Sequence, residues 1–298
     1  MIDAGGEDST DAKQNKHLIR YLTAFFKKRP DLHNTIDTVI VSHPHKDHTK
    51  LLPAVVTAFK INNLIDGGAD HGSGIAALRK ARALIKTKGG KYFVVEAKDT
   101  LKPTFSLAPL AAIEAADSDV HFTVIGGTRG CKDQNSDSIV VLLNYKGSRF
   151  ILTGDASDKT DPLCKPSEIP DLLNKYGPTG ELRADVYKAD HHASKNGTNA
   201  QWMKAISPWI SIISAGKHDK AHRAPGGFHA WQFGHPTQQA VSLMEQYSSD
   251  TRPPIMISTG NGQRSFRPER EITKAVYCTC WDGDIVINAA TLKVSTSQ

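Results

Sequence analysis

The chain has 298 residues, a formal net charge of +6 at pH 7 and a sequence pI of about 9.0. Its hydrophobic content of 39% and charged content of 23% are ordinary for a soluble globular protein. No apolar run is long enough to span a membrane and no signal peptide opens the chain, so we expect a cytoplasmic protein. The basic balance favours anionic partners such as phosphate esters or nucleic acid, but a merely basic, soluble surface explains it equally well.

The first half of the chain predicts alternating helices and strands. Residues 13–28 carry apolar side chains at helical spacing with lysine and arginine opposite them, which indicates an amphipathic helix packed on a sheet. Residues 35–42 form a short run of β-forming side chains, and Pro44 ends that strand because proline cannot continue a central ladder. The remaining elements predicted here are helices at 51–59 and 75–87 and a strand at 61–66.

The loop that follows the strand at 35–42 contains a dense group of metal-binding side chains: His43, His45, Asp47 and His48. Imidazole nitrogens and carboxylate oxygens are donors that suit zinc or a similar divalent ion. Alternation places His43 and His45 on one side, able to hold one ion, and the next two side chains follow where the loop turns, able to hold a second. Two neighbouring ions can clamp an attacking hydroxide and polarise a substrate. The alternative is a His-rich surface loop that binds metal adventitiously.

In the second half of the chain, two further segments end in polar side chains. A hairpin predicted at 138–144 and 149–152 is followed by Thr153-Gly154-Asp155. A strand predicted from residue 184 ends in the pair His191-His192. The other predicted elements are strands at 92–96, 120–125, 206–215, 255–262 and 284–287 and helices at 169–176 and 237–247.

These motifs resemble the metallo-β-lactamase superfamily of binuclear metallohydrolases. Its members carry the same His-x-His-x-Asp-His loop after a hydrophobic strand, and Asp155 matches the aspartate that bridges both metals in that family. Asp3 matches an aspartate that orients a ligand histidine. The segment 184–194 (ADVYKADHHAS) resembles the ComEC-like branch, the hydrolase domain attached to bacterial DNA-uptake channels, and also the phosphorylcholine-esterase branch. The sequence Phe233-Gly234-His235-Pro236 matches the Gly-His-Pro motif of the ComEC-like branch.

The resemblance implies a fold and a cofactor. The expected fold is α+β, an αββα sandwich of two mixed sheets with helices on the outer faces and metals at one sheet edge. We expect one domain over residues 1–298, with its N-terminal strands truncated or its first sheet short by an edge strand. The resemblance further implies hydrolysis by a metal-bound hydroxide with two zinc ions, manganese and iron being the alternatives.

The resemblance also implies roles for the later histidines. His191 or His192 should complete the metal shell, and the superfamily's ending favours His192, with the other histidine contacting substrate. His235 should be the last ligand or an oxyanion contact. The predicted catalytic residues are Asp47, His235 and Lys195.

Two departures from the family pattern qualify this prediction. Residues 131–138 lack the histidine that many members carry before the hairpin, so a ligand of the first metal is missing. Either His192 or His235 replaces it, or the enzyme holds a single metal. Ala193 stands where the branch has glycine, which should restrict the backbone there to ordinary φ values.

The four cysteines are too few and too scattered to predict a disulfide framework. We interpret Cys278 and Cys280 as small buried residues on one face of a strand. A Cys-x-Cys metal site is the alternative.

The predicted function is a metal-dependent phosphodiesterase or nuclease. The alternatives are a hydrolase of a small ester, lactone or β-lactam, similar to the phosphorylcholine esterases, and a non-catalytic metal-binding module. Residues 217–231 lie between two motifs and are predicted to form a flap over the active-site face. The predicted contacts with nucleic acid are Lys195, Lys217, Lys220 and Arg223.

Overall fold

The computed structural model describes residues 1–100, 107–217, 224, 227, 229–262 and 264–298. Its strands, in chain order, are β1 (Thr35–Ile40), β2 (Lys60–Asp66), β3 (Lys91–Val94), β4 (Val120–Val124), β5 (Val141–Tyr145), β6 (Ser148–Leu152), β7 (Val186–Lys188), β8 (Ile210–Ile213), β9 (Thr251–Ile257), β10 (Arg270–Lys274), β11 (Val276–Cys278), β12 (Ile285–Ile287) and β13 (Val294–Thr296). The helices are α1 (Ala12–Asn15), α2 (His17–Lys28), α3 (Lys46–Thr49), α4 (Leu52–Ala58), α5 (Ile75–Thr87), α6 (Ala97–Thr100), α7 (Ala108–Ala116), α8 (Glu168–Tyr176), α9 (Ala200–Ile206), α10 (Ala230–Phe233), α11 (Gln238–Tyr247) and α12 (Thr279–Asp282).

Two sheets form the body of the molecule. The smaller sheet is parallel, in the order β1-β2-β3, and the segment around Ile2 adds a parallel bridge to Ile40 at its β1 edge. The larger sheet has the order β11-β8-β7-β6-β5-β4; β6, β7, β8 and β11 run parallel, and β4 and β5 run antiparallel to their neighbours. The β9–β10 and β12–β13 pairs are separate antiparallel ribbons.

The apolar core lies in layers on both sides of the sheets. Ile40, Ile65, Val124 and Val141 belong to one cluster that joins the smaller sheet to β4 and β5. A second cluster covers the outer face of the smaller sheet with α2, α4 and α5, and a third packs α8, α9 and α11 on the outer face of the larger sheet. Burial of these faces is the main favourable term in folding. The predicted αββα sandwich is therefore confirmed.

Some local predictions differ from the structure. The helix predicted at 13–28 is broken at Lys16 into α1 and α2. The stretch between β3 and β4, where the sequence predicted no helix, contains α6 and α7. Among the described residues, no helix is both long and apolar enough to cross a membrane.

The interpretation of the cysteines was wrong. Disulfide bonds join Cys131 to Cys164 and Cys278 to Cys280. Cys278 ends β11, whereas Cys280 lies in α12, so the two do not share the face of one strand. Folding brings the Cα atoms of Cys131 and Cys164 to 5.3 Å although 33 residues separate them, and sequence spacing carries no signal for such a pairing.

Candidate metal centre

The candidate metal centre lies where strands of both sheets end. His43 follows β1, Asp155 follows β6 and His192 follows β7, and these strands end on the same side of the sandwich. One hydrogen bond joins the sheets at this place: the backbone N–H of Ile139, before β5, donates to the Ser42 carbonyl, after β1, over 2.9 Å. Within the larger sheet, the backbone N–H of Asp155 donates to Ser138 Oγ over 3.0 Å.

The side chains at this edge form two groups of metal-donor atoms. The first group contains His43, His45 and Asp155, and the second contains Asp47, His48, Asp155 and His192. Within each group the donor atoms all lie within 4.8 Å of one another. Asp155 is common to both groups and is 98% buried, so a single carboxylate faces both sets of imidazoles.

Hydrogen bonds behind the second group fix which imidazole nitrogen faces the centre. His48 Nδ1 donates to Asp3 Oδ2 over 2.7 Å, and His192 Nδ1 donates to the Ser214 carbonyl over 2.6 Å, because both partners are acceptors. When these imidazoles are deprotonated, their lone pairs are therefore on the two Nε2 atoms, which lie 3.2 Å apart. Two lone pairs at this distance repel each other unless a cation lies between them, so this pair of imidazoles fits a metal ion.

The segment Asp3–Gly6 packs against the residues that carry Asp47 and His48. Asp3 has a φ of 57°, and its carboxylate also accepts hydrogen bonds from the backbone N–H and the hydroxyl of Ser42. Gly5 lies against the loop so closely that a Cβ there would be 1.2 Å from the Asp47 carbonyl oxygen. Only glycine permits this approach. The placement of His48 thus depends on a backbone contact as well as on the Asp3 carboxylate.

Electrostatics at the centre favour positive charge. Burial works to raise the pKa of Asp155, but the neighbouring His48, His192 and His191 hold it well below its usual range. Burial lowers the pKa of His48, but the carboxylates of Asp155 and Asp3 raise it well above its usual range. A group of buried carboxylates that stabilises a cation so strongly is suited to a divalent ion.

The first group fits a metal for a different reason. His43 is fully buried, and burial lowers the pKa of its imidazole well below the usual value. The ring is therefore neutral and can offer a nitrogen lone pair to a metal ion. Its Nε2 atom and Asp155 Oδ1 are buried and make no hydrogen bond. Unpaired buried polar atoms cost about 1–3 kcal/mol each, and an ion bound between these two would satisfy both.

The other predicted histidines are His191, His192 and His235, and one of the three belongs to a group. His191 belongs to neither group, although its Nε2 lies 3.9 Å from Asp155 Oδ2, and its ring centroid is 5.6 Å from that of His235. His192 belongs to the second group. Burial, with the nearby His191 and His192, lowers the pKa of His235 to about 3, so this imidazole is neutral at pH 7.

The expectation for the backbone at Ala193 was wrong. His191, His192 and Ala193 have φ values of 44°, 53° and 59°, so three successive residues are left-handed. The pair therefore lies on a tight turn, not on a strand where neighbours point to opposite faces. Each non-glycine residue in this conformation costs about 1–2 kcal/mol, and such strain is typical of functional sites.

A pocket of about 800 Å³ opens onto both groups. His45, Asp47, His48, Asp155, His191, His192 and His235 line it. Lys195 is exposed and is absent from the lining, whereas Lys188 lines the pocket, and burial lowers the pKa of its amine. Lys188, Glu7 and Asn135 are lining residues that the sequence analysis missed. The position of Lys188, as the last residue of β7, was the one available signal.

The predicted flap falls largely outside the described residues. His218, Lys220, His222, Arg223, Gly226 and Phe228 all belong to the part that the structure does not describe. In the described part of the flap, Ala230 lines the pocket and its backbone N–H donates to Glu7 Oε1 over 2.7 Å. Phe233, two residues beyond the flap, also lines the pocket. The flap itself stays a prediction.

Replacing Asp3 with asparagine should lower kcat/KM about 10–100-fold, the usual cost of losing the partner of a metal-binding histidine. The change removes the charge that fixes His48 and leaves the side-chain shape unchanged. Steady-state kinetics measure the effect. Asp8→Asn is the matched control, because Asp8 pairs with Lys46 and Lys50 on the same segment but does not line the pocket. Equal losses in the two variants would contradict a positioning role for Asp3.

The chain is similar to several known proteins. The sequence profile described as Metallo-beta-lactamase superfamily matches residues 1–217. ComE operon protein 3 of Bacillus subtilis is 24% identical over 295 residues, which is 93% of this chain but only 31% of that protein, so this chain spans about a third of the length of that relative. Among solved structures, the metallo-beta-lactamase fold protein YhfI from Bacillus subtilis is 14% identical with a TM-score of 0.40, over 71% of this chain and 70% of the other. The diiron beta-hydroxylase CmlA from Streptomyces venezuelae is 11% identical with a TM-score of 0.37, over 62% and 36%.

Proposed function

Because this chain belongs to the metallo-beta-lactamase superfamily of metal-dependent hydrolases, we propose that it is a phosphodiesterase that cleaves nucleic acid with two metal ions. The observation that carries this proposal is the Asp155 carboxylate, which is shared by two groups of donor atoms at the floor of one pocket. Two bound ions would supply Lewis acidity and would lower the pKa of water, as in other two-metal hydrolases.

The side chains of the chain have separate roles in this proposal. His43 and His45 would hold one ion, His48 and His192 would hold the other, and Asp155 would contribute to both sites. Burial works to raise the pKa of Asp47, but the hydrogen bond with His192 and the charge of His48 hold it well below its usual value. Asp47 is therefore a carboxylate at neutral pH that can bind the second ion and accept a proton from water.

The substrate oxygen would meet hydrogen-bond donors that line the same pocket. His235 is a neutral imidazole that can donate one hydrogen bond to a developing negative charge. The Lys188 amine lines the same pocket and offers a second donor. Lys195, which we predicted as catalytic, is exposed outside the lining, so we propose it as a contact for a longer substrate.

The choice of nucleic acid rests on charge and on the resemblance to the DNA-uptake-associated branch. A net charge of +6 attracts a polyanion and speeds its association. A small ester or lactone is the second candidate, because Ile2, Leu18 and Leu152 give part of the pocket an apolar wall. Zinc is the metal we propose for both sites, with manganese and iron as alternatives.

The test is turnover of single-stranded DNA, double-stranded DNA, RNA and bis-p-nitrophenyl phosphate by the metal-loaded protein. Nucleic-acid affinity should fall steeply with salt, because binding phosphates releases counterions. Replacing both Lys195 and Lys217, which are exposed, with glutamine should reduce the salt slope on single strands by about 1.4, at about 0.7 per lost contact. Turnover of bis-p-nitrophenyl phosphate should stay unchanged.

Lys80→Gln with Lys86→Gln is the control for this test, because both lysines are exposed on α5, which covers the outer face of the smaller sheet. A flat salt dependence would favour the small-molecule hydrolase. Metal binding without turnover of any substrate would favour the non-catalytic module.

The cysteines bear on the compartment in which we propose that this chain acts. We predicted a cytoplasmic protein, but stable disulfides are rare in the cytosol and common in oxidising compartments. The pairs Cys131–Cys164 and Cys278–Cys280 therefore support the proposal that this chain acts in an oxidising compartment. Four free thiols in the protein isolated from its own cell without reductant would contradict it.

A further inference from the structure

We propose that the side-chain oxygen of Asn135 is the fourth donor of the first group, beside His43, His45 and Asp155. It would take the place of the histidine that residues 131–138 lack. This inference rests on the proposed function, because it assumes that the first group holds a metal ion. It makes Asn135 a metal ligand, a role that the sequence analysis did not give it.

The starting observation is a buried polar atom without a partner. Asn135 is 93% buried, and its Oδ1 makes no hydrogen bond. The residue lines the pocket together with His45 and Asp155. An amide oxygen that is removed from water without a partner is costly, and natural structures keep such an atom mainly where something binds to it.

The surroundings of the turn Gln134–Asp137 place Asn135 at the first group. Directly after the turn, Ser138 Oγ accepts the hydrogen bond of the Asp155 backbone N–H, and the backbone N–H of Ile139 donates to the carbonyl of Ser42, which precedes His43. On the other side, a Cβ at Gly72 would lie 2.8 Å from Gln134 Oε1 and 2.7 Å from the Pro44 carbonyl. The turn is therefore packed between the His43–His45 segment and Asp155.

The same turn is held rigidly. The Cys131–Cys164 disulfide fixes its start, and the Asp133 side chain caps it by accepting the backbone N–H of Asn135 over 3.2 Å. Asp137 accepts the backbone N–H groups of Arg129 and Cys131. A ligand binds an ion tightly when it is held in place before the ion arrives. These contacts hold Asn135 by its backbone, while its side-chain oxygen Oδ1 makes no hydrogen bond.

The donor chemistry is complete with Asn135. His43 and His45 supply two imidazole nitrogens and Asp155 supplies a carboxylate oxygen, so the first group has one donor fewer than the second. The neutral amide oxygen of Asn135 would supply that donor without adding charge. His192 and His235, the replacements that the sequence left open, are not needed: His192 belongs to the second group, and His235 belongs to neither.

Other unpaired buried polar atoms do not compete for this role. Both carboxylate oxygens of Glu168 and Asp190 Oδ1 are buried without hydrogen bonds, but neither residue lines the pocket. Burial raises the pKa of both carboxyl groups well above the usual range, which favours their neutral form. Of the unpaired oxygens on the pocket side, Asn135 Oδ1 and Asp155 Oδ1 are the two that belong to lining residues among the described part of the chain.

The experiment measures metal stoichiometry and affinity, with zinc and manganese as probes, by calorimetry and elemental analysis. The wild type should bind two ions. Asn135→Leu should bind the ion of the second group with unchanged affinity. Its affinity for the ion of the first group should be at least about 100-fold weaker, which exceeds the usual effect of losing a residue that only orients a ligand. Asn135→Asp should bind two ions again, because it restores an oxygen donor of the same shape.

Gln134→Leu is the matched control, because it makes the same change one residue away in the same turn, and it should bind two ions. The melting temperature of metal-free Asn135→Leu should not fall, since the lost oxygen had no partner; if it does not fold, Asn135→Ala removes the same oxygen. Two ions bound with unchanged affinity in Asn135→Leu would overturn this inference and leave the proposed function intact. A wild type that binds no metal would overturn both.

Discussion

Replacing Asp155 with asparagine is expected to lower kcat/KM at least about 100-fold, while the metal-free protein still folds. Among the described residues the carboxylate is the one donor common to both groups, so its loss weakens two metal sites at once. The amide has the same shape and volume, so the packing between β6 and the histidine turn is unchanged. Kinetics at saturating metal and urea unfolding of the chelated protein measure the two effects.

Asp66 provides the opposite control for this prediction. It is also fully buried, but its carboxylate pairs with Arg82 and accepts a hydrogen bond from Tyr92 at the end of β2. Asp66→Asn breaks a buried ion pair and should cost about 3 kcal/mol of stability with normal activity per folded molecule. If Asp155→Asn unfolds the protein as Asp66→Asn does, Asp155 is a structural residue and the two-metal proposal loses its main support.

The sequence predicted the part of the centre that is local. His43, His45, Asp47 and His48 lie within a span of six residues that follows one strand, so their proximity follows from their spacing in the chain. Asp155 required two further facts: the hairpin before it and the resemblance to a family. The structure brings these five side chains into the two groups that the motif suggested.

The rest of the centre depends on contacts that the sequence does not display. Asp3 reaches His48 because its own φ is positive and because Gly5 fits against the Asp47 carbonyl. Ala193 occupies a left-handed conformation that glycine would normally supply, so its residue type gave the wrong prediction. Asn135 is an ordinary polar residue in the sequence, and only burial without a partner marks it.

Removing the metals with a chelator is expected to abolish activity and to lower the melting temperature. An ion present at 100 times its dissociation constant stabilises the folded state by about 2.7 kcal/mol. For a chain of this size each kcal/mol corresponds to about 2 °C, so each ion should contribute about 5 °C. Activity should return when zinc or manganese is added back. Differential scanning calorimetry with and without chelator measures the shift, and Asp155→Asn should show a smaller one.

The difference in melting temperature between metal-loaded and chelated protein should also grow with pH, because protons take the place of the ions in the chelated protein. The Asp155 and Asp47 carboxylates raise the pKa of His192 against the effect of burial, as Asp155 and Asp3 do for His48. A histidine whose pKa is raised on folding stabilises the chelated protein fully below its unfolded pKa of about 6.5, and this contribution is lost as the pH rises through the folded pKa. Metal-bound imidazoles are already deprotonated, so the loaded protein does not lose that contribution over the same range. The difference in melting temperature between loaded and chelated protein should therefore increase from pH 6 to pH 9, and a difference that is constant or that shrinks would show that these histidines do not hold the ions.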